Sequence, residues 1–422
     1  MSQEQRVFIT GLSALTSSGL DLASTWDALI KGESGIAPIT NWEIESYPSQ
    51  LGGELKGFEP AKMLPDKKMV KVISKQDAFG INAAMQAVLH SECITYRDTL
   101  EDTTAFNDEF AVFVGSPGNK YCQQYDFLPL VASHGKDFKR FAEDLFNVVH
   151  PTWLLRILPN NVLAYTGIAY GFKGPNHNIS NHAVSGMQAL IEAYHALKSG
   201  EASRAVVVAY DLSIEPQGLF YYDKLGVLSA TGLKPYDKAH DGTILGEGAS
   251  ALVLETEASV NARGAKVYAE VVGGFSESEG KSLFSLDESG KPLAELIDRT
   301  LTSLDLSPND IGAVVAHGNG NIKSDVSEAR AIVSTLGHVP VTSFKWSMGH
   351  TLAASGLLDT VLAANALCEQ TLPGVATFSQ LAPDCNGLNV SQVHKTLDRN
   401  THVMIINRGF ASMNACLVIK GC

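Results

Sequence analysis

The sequence predicts an α/β protein with largely parallel central strands, built as two related halves in one body. Three observations lead there. Short β-rich runs alternate with amphipathic helical stretches along the whole chain. No long linker or low-complexity segment breaks the alternation. A similar order of strand, helix and glycine-rich turn recurs on either side of residue 257, where the strand-like GASALVLE run ends and polar SVNARG precedes a new strand. The expected division is therefore 1–257 and 258–422.

Taken in chain order, the strands are expected at Val7 to Thr10, Phe110 to Val114, Ala205 to Tyr210, Val267 to Val272, Ile311 to Ala316 and Val403 to Asn407. Leu22 to Lys31 reads as a helix closed by Gly32, and Val184 to Lys198 as one closed by Gly200. The 422 residues, 45% hydrophobic and 18% charged, hold enough apolar material for a large core and exclude a disordered or collagen-like chain. No apolar run reaches the roughly 18 to 20 residues that cross a bilayer, since Leu357 to Leu367 is short and interrupted by Asp359. The polar start MSQEQ does not read as a secretory signal, so a cytoplasmic location is expected.

A net charge of −13 argues against a nucleic-acid partner, because a phosphate backbone is bound by excess Lys and Arg. Six cysteines (Cys93, Cys122, Cys368, Cys385, Cys416, Cys422) include no C-x-x-C pair, so they read as reduced and mostly buried thiols, Cys422 excepted. GGFSESEGKS (Gly273 to Ser282) has one residue too many for a phosphate-binding loop and carries Glu277 and Glu279 toward the anion; a charged surface loop is expected. Ser185 lacks the flanking glycines of a nucleophile elbow, its neighbours at two residues being Ala183 and Met187. His177 and His182 have no thiol or carboxylate to complete a metal set and read as polar loop histidines.

Three segments carry more. GFKGPNHNISNHAVSGMQAL (Gly171 to Leu190) runs from a strand into a tight turn and then a helix whose start offers free N–H groups and a positive dipole end. In VVAHGNGNIKSDVSEA, His317 stands at the carboxyl end of a strand, where catalytic groups of open α/β sheets gather. SFKWSMGHTLAASG places Lys345 and His350 around another strand-to-helix turn, with small residues that allow close helix packing. Two histidines and a lysine at equivalent turns point to a site.

With these motifs in hand, the chain resembles the β-ketoacyl synthases of fatty-acid and polyketide biosynthesis. The resemblance covers essentially the whole length: VFITGLSALTSSGLD, STWDALIKGESGI, GFKGPN, YDKAHDGTILGEGASALVLE, AHGNGN with Asp325 and Glu328, KWSMGH, and NRGFASMNACLVI, in the family's order. It implies a thiolase-like fold, two pseudo-symmetric βα halves in a layered αβαβα body. It also implies no cofactor and no metal. In that family a cysteine at the helix start takes the acyl chain, and two histidines promote decarboxylation of a malonyl thioester and steady the enolate. By resemblance His317, His350 and Lys345 hold these positions, with backbone N–H groups of Ala183 and Phe410 as oxyanion donors.

The chain departs from the family where it matters most. Ile179 to Gly186 places His182 and Ala183 where a small residue and the nucleophile belong, and a methyl group cannot form a thioester. Asn319 and Asn321 stand in place of threonines, and Arg408 to Met413 lacks the full glycine pattern. The resemblance then implies a chain-length factor, a non-condensing subunit that pairs with an active ketosynthase and limits product length, in general look similar to those of aryl-polyene clusters. Two alternatives stay open: a malonyl-carrier-protein decarboxylase, and a Cys-to-Ala form of an active 3-oxoacyl synthase. Family members pair through the strand before the nucleophile turn, here His177 to Asn181. Tyr121, Tyr125 and Phe127 resemble segments that shape the acyl tunnel at that interface. Lys62, Lys67, Lys68, Lys71 and Lys75, expected on and just ahead of a helix from Asp66 to Met85, resemble the face that docks an acidic acyl carrier protein.

Overall fold

A computed structural model describes residues 5–64, 66–118, 127–149 and 151–422. Eleven strands form one mixed sheet: β1 (Val7–Thr16), β2 (Phe110–Gly115), β3 (Asn176–Ile179), β4 (Arg204–Asp211), β5 (Gly248–Thr256), β6 (Ala269–Ser278), β7 (Ile311–Val315), β8 (Pro340–Thr342), β9 (Asn389–Val390), β10 (His402–Gly409) and β11 (Met413–Lys420). Their spatial order is β9-β8-β7-β10-β11-β6-β1-β5-β4-β2-β3. The order is two copies of one pattern placed back to back. In β3-β2-β4-β5-β1 the successive contacts are parallel, parallel, antiparallel and antiparallel, and β8-β7-β10-β11-β6 repeats them. The copies join where Val7, Phe8 and Ile9 of β1 pair with Val271, Glu270 and Ala269 of β6.

Alternation along the strands builds the layers. Ala205, Val207 and Ala209 of β4, with Val403 and Ile405 of β10, face a shared central core that holds helices α3 (Ser185–Lys198) and α6 (Ser355–Cys368). Val206, Val208 and Tyr210 face the opposite way, toward Phe79 and Ile81 of the helix Lys75–His90. Met404 and Ile406 likewise face Leu296 of Lys291–Ser303 and Ile332 of Ile322–Leu336. In chain order these helices are α1 (Leu22–Lys31), α2 (Lys75–His90), α3, α4 (Lys291–Ser303), α5 (Ile322–Leu336) and α6. The strands are continuous apolar runs because both faces are covered. The result is the layered αβαβα arrangement of the thiolase-like fold.

In the centre, α3 and α6 approach unusually closely. A Cβ on Gly186 would stand 2.9 Å from the Ala353 carbonyl and 3.1 Å from Leu357, and one on Gly356 would stand 3.0 Å from Met187. The small residues read from the sequence do allow the tight packing expected of them.

Elsewhere the structure corrects the expectations. β1 continues to Thr16, six residues past the expected end, over a register shift between Ile9 and Gly11. The expected surface loop at Gly273 is instead strand as far as Ser278: β6 pairs with β11 from Gly273↔Val418 to Ser278↔Met413. Gly273 and Gly274 look like a turn in sequence, yet here they serve a bulge at Val418/Ile419 and a close approach to Cys416. The segment from Asp66 to Met85 is not one helix. A 3₁₀ turn, Lys67–Lys71, ends at Val72, and α2 starts afresh at Lys75 because Ser74 and Asp77 form a reciprocal capping box. Gly32 caps α1 in the left-handed conformation as expected, while α3 begins at Ser185, one residue later than read.

Cys93, Cys385 and Cys416 are buried free thiols, Cys368 is half-buried and Cys422 exposed; Cys122 lies outside the described residues. No helix among the described residues is long and apolar enough to cross a membrane.

Candidate active site

The two halves present their strand-to-helix turns to the same central region. On the first half, β3 ends at Ile179 and the chain turns through His182, held at a left-handed φ of 49°, into α3. Ser185 ties the turn: its Oγ accepts the Asn181 N–H at 2.8 Å and donates to the His182 carbonyl at 2.7 Å. Ala183 is fully buried at this turn. The hairpin between β10 and β11 closes over it, so that a Cβ on Gly409 would lie 3.3 Å from the Ala183 nitrogen.

That hairpin holds two non-glycine residues in the left-handed region: Ala411 and Ser412 both sit at positive φ, 61° and 54°. Each left-handed non-glycine residue costs about 1 kcal/mol. The Phe410 ring stacks on the His182 imidazole, 4.3 Å between centroids and 11° from parallel. The Phe410 N–H donates to His182 Nδ1 at 3.2 Å, and His182 Nε2 lies 2.8 Å from the Tyr222 hydroxyl. Nδ1 is therefore the acceptor and Nε2 carries the proton, donating to Tyr222. Far from being a plain loop residue, His182 ties the turn to Phe410 and Tyr222. His177 lies apart from it, exposed on β3.

On the second half, His317 follows β7 and is buried. Its backbone N–H and that of Gly318 donate to the two oxygens of Glu328, at 2.8 and 3.0 Å. The Tyr236 hydroxyl donates to the same carboxylate at 2.6 Å. Gly318 has a φ of 38°, and a Cβ there would meet Ser343 at 2.7 Å, so this turn needs glycine. Asp325 binds the Tyr236 and Gly320 N–H groups and the His240 ring. Burial pushes the carboxyls of Asp325 and Glu328 upward.

His350 follows the short helix Lys345–Met348 and is buried as well. The Leu352 N–H donates to His350 Nδ1 at 3.3 Å, and the Arg408 N–H donates to His317 Nδ1 at 3.3 Å. Both neutral imidazoles thus carry their proton on Nε2. Burial, then the Lys345 charge, holds both rings well below the ordinary histidine range. Lys345 is itself buried and donates to Asp359 at 2.6 Å, a pair in which each side chain is 2% exposed.

His182, Tyr222, His317, His350 and Phe410 line one cavity of about 450 Å³, with Asn319, Asn321 and Lys323 among its other walls. Ala183 and Lys345 are not on its surface. Asn319 and Asn321 use their carbonyl oxygens locally, Asn319 accepting the Asn321 N–H and Asn321 capping α5 through the Ser324 N–H. Among the described residues no group of three or more His, Cys, Asp or Glu side chains is placed to hold a metal ion.

Four neighbours were not read from the sequence as parts of this site. Asp359 and Tyr222 are two of them. Arg408, already singled out as a departure, anchors the hairpin: its buried guanidinium donates to Asn414, Glu279, Ser327 and the Ser324 carbonyl. Glu279, the supposed loop carboxylate, is its 1% exposed ion-pair partner. Of the expected tunnel residues, Tyr121 and Tyr125 lie outside the described residues, and Phe127 packs edge-on against Trp153 with centroids 5.1 Å apart. Lys67, Lys68 and Lys71 are exposed on their 3₁₀ turn, away from the cavity lining.

Comparison with known proteins identifies the fold and the family. A 3-oxoacyl-acyl-carrier-protein synthase 2 of Staphylococcus aureus is 28% identical over 100% of this chain and 99% of its own length. Among solved structures, the ishigamide ketosynthase/chain length factor superposes with a TM-score of 0.85 at 22% identity, covering 100% of both chains. A type II polyketide acyl-carrier protein in complex with its ketosynthase bound to the hexaketide gives a TM-score of 0.84 at 21% identity, also over 100% of both chains. The family profile described as beta-ketoacyl synthase, N-terminal domain, matches residues 4–259, and that of the C-terminal domain matches 268–379. Two matches that between them run from β1 to the end of the second histidine turn and beyond identify the chain as a member of the beta-ketoacyl synthase family.

Proposed function

We propose that the chain is a non-condensing, chain-length-factor-type subunit that pairs with an active ketosynthase in fatty-acid or polyketide biosynthesis. The observation that carries this reading is Ala183: a buried methyl group occupies the helix-start turn, and none of the six cysteines falls on that turn. Without a thiolate no acyl-enzyme forms. The likeness to a ketosynthase/chain length factor and to a ketosynthase seen with its carrier protein supports the same partners for this chain. In this reading 1–257 and 258–422 are its two halves, Phe127 belongs to the tunnel side, and Lys67, Lys68 and Lys71 meet an acyl carrier protein.

The open edge of the sheet supports pairing through β3. Asn176 and His177 are exposed there, and among the described residues β3 has a strand neighbour, β2, on one side alone. Native mass spectrometry of the chain co-expressed with the ketosynthase of its own biosynthetic set should find one copy of each. A homodimer that refuses the ketosynthase overturns the reading.

A second reading, malonyl-thioester decarboxylation, is favoured by one feature. His317 and His350 keep their Nε2 protons and line an open cavity, which suits an enolate sink without any nucleophile.

A further inference from the structure

We propose that His182 is a specificity-determining residue that closes this site to acyl transfer from thioesters independently of the missing nucleophile. The inference rests on reading the Ala183 turn as a silenced nucleophile turn. A thioester carbonyl attacked at a helix-start turn needs preorganised N–H donors for the charge that develops on its oxygen. The N–H facing this turn from the β10–β11 hairpin belongs to Phe410, and His182 Nδ1 already accepts it at 3.2 Å. The ring is not free to swing away. It is stacked on Phe410, its Nε2 is bonded to Tyr222, and Tyr222 is itself stacked against Phe410 with centroids 5.6 Å apart.

The closure is selective. Among the described residues nothing comparable covers His317 and His350, which line the 450 Å³ cavity. The site has lost the donor that acyl transfer requires while keeping the pair that serves a malonyl group. Two separate changes therefore silence condensation, Ala183 by removing the attacking atom and His182 by removing a charge-stabilising donor.

The test uses the full-length protein alone, with a small acyl thioester of N-acetylcysteamine, and reads acylation by intact mass. Ala183→Cys supplies the nucleophile: the introduced thiolate adds to the carbonyl carbon, the carbonyl oxygen carries the charge, and the cysteamine thiolate leaves and takes up the proton. Ala183→Cys should acylate slowly, and His182→Ala with Ala183→Cys should acylate at least about tenfold faster, because one oxyanion donor is worth on the order of a hundredfold or more in rate. Equal rates in the two variants, both fast or both nil, overturn the proposal. Iodoacetamide needs no oxyanion donor, so it should alkylate the introduced thiol of both variants at similar rates. If alkylation shows the same ratio as acylation, the ring is a wall rather than a competitor for the N–H, and the proposal falls. Neither measurement involves a partner or a carrier protein, so failure to form a heterodimer leaves this result unaffected.

Discussion

The imidazoles of His317 and His350 stand nearly perpendicular, 83° apart with centroids separated by 5.0 Å, and each has its Nδ1 fixed by a backbone N–H. Each ring therefore carries its proton on Nε2, and both residues line the cavity. The isolated protein is expected to release carbon dioxide slowly from malonyl carrier protein while never becoming acylated. Radiolabelled malonyl release and intact mass read the two outcomes. His317→Ala should lower the release by about 100-fold, the usual reach of one positioned proton donor; release that is indifferent to both histidines rules out the decarboxylase reading.

Lys345 and Asp359 stabilise each other where water cannot. Removing one partner leaves a charge stranded, at a typical cost of about 3 to 5 kcal/mol. Lys345→Met should therefore lower the midpoint of urea unfolding strongly, whereas Lys345→Met with Asp359→Leu should recover most of the loss. A single variant as stable as the parent would mean that burial has already neutralised Asp359, whose carboxyl it pushes upward.

The buried histidines also set a pH dependence. Unfolded, they protonate near pH 6.5; folded, burial keeps them neutral well below that value. The unfolded chain then binds more protons, so this part of the stability is complete above about pH 6.5 and declines as the pH falls below it. Asp325, Glu328 and Asp359, raised by burial, act in the opposite sense, so the comparison must be differential. Between pH 7.5 and 5.5 the parent should lose more stability than a His317→Asn, His350→Asn variant, read by urea unfolding at each pH. Parallel curves would show that the rings titrate normally.

Lys67, Lys68 and Lys71 project from a 3₁₀ turn into solvent. Reversing the charge at Lys67 and Lys68 should weaken binding of an acidic carrier protein by about tenfold at low salt, with the difference shrinking as salt rises. Surface plasmon resonance across a salt series measures it. An unchanged affinity removes these lysines from any carrier-protein docking face.

The two turn histidines are legible in the sequence, since His317 and His350 stand in local strand and turn patterns that carry their own position. What it hid were relations between distant segments. Asp359 was visible as a lone carboxylate in an apolar helix, yet nothing local says that Lys345 lies against it. Likewise the fate of the His182 ring depends on Phe410, 228 residues away. β6 was cut short because a glycine pair signals a turn unless a neighbouring strand claims it. The break before α2 was lost because the Ser74 cap sits inside a run of lysines.

The polar edge at β3 also bears on how the chain behaves before it meets the partner proposed for it. An exposed strand of apolar residues would recruit any passing chain, whereas the exposed Asn176 and His177 present groups that water hydrates well. For a subunit that pairs as proposed above, such an edge keeps the lone chain dispersed, so that encounter rather than rescue from aggregates sets the pace of assembly.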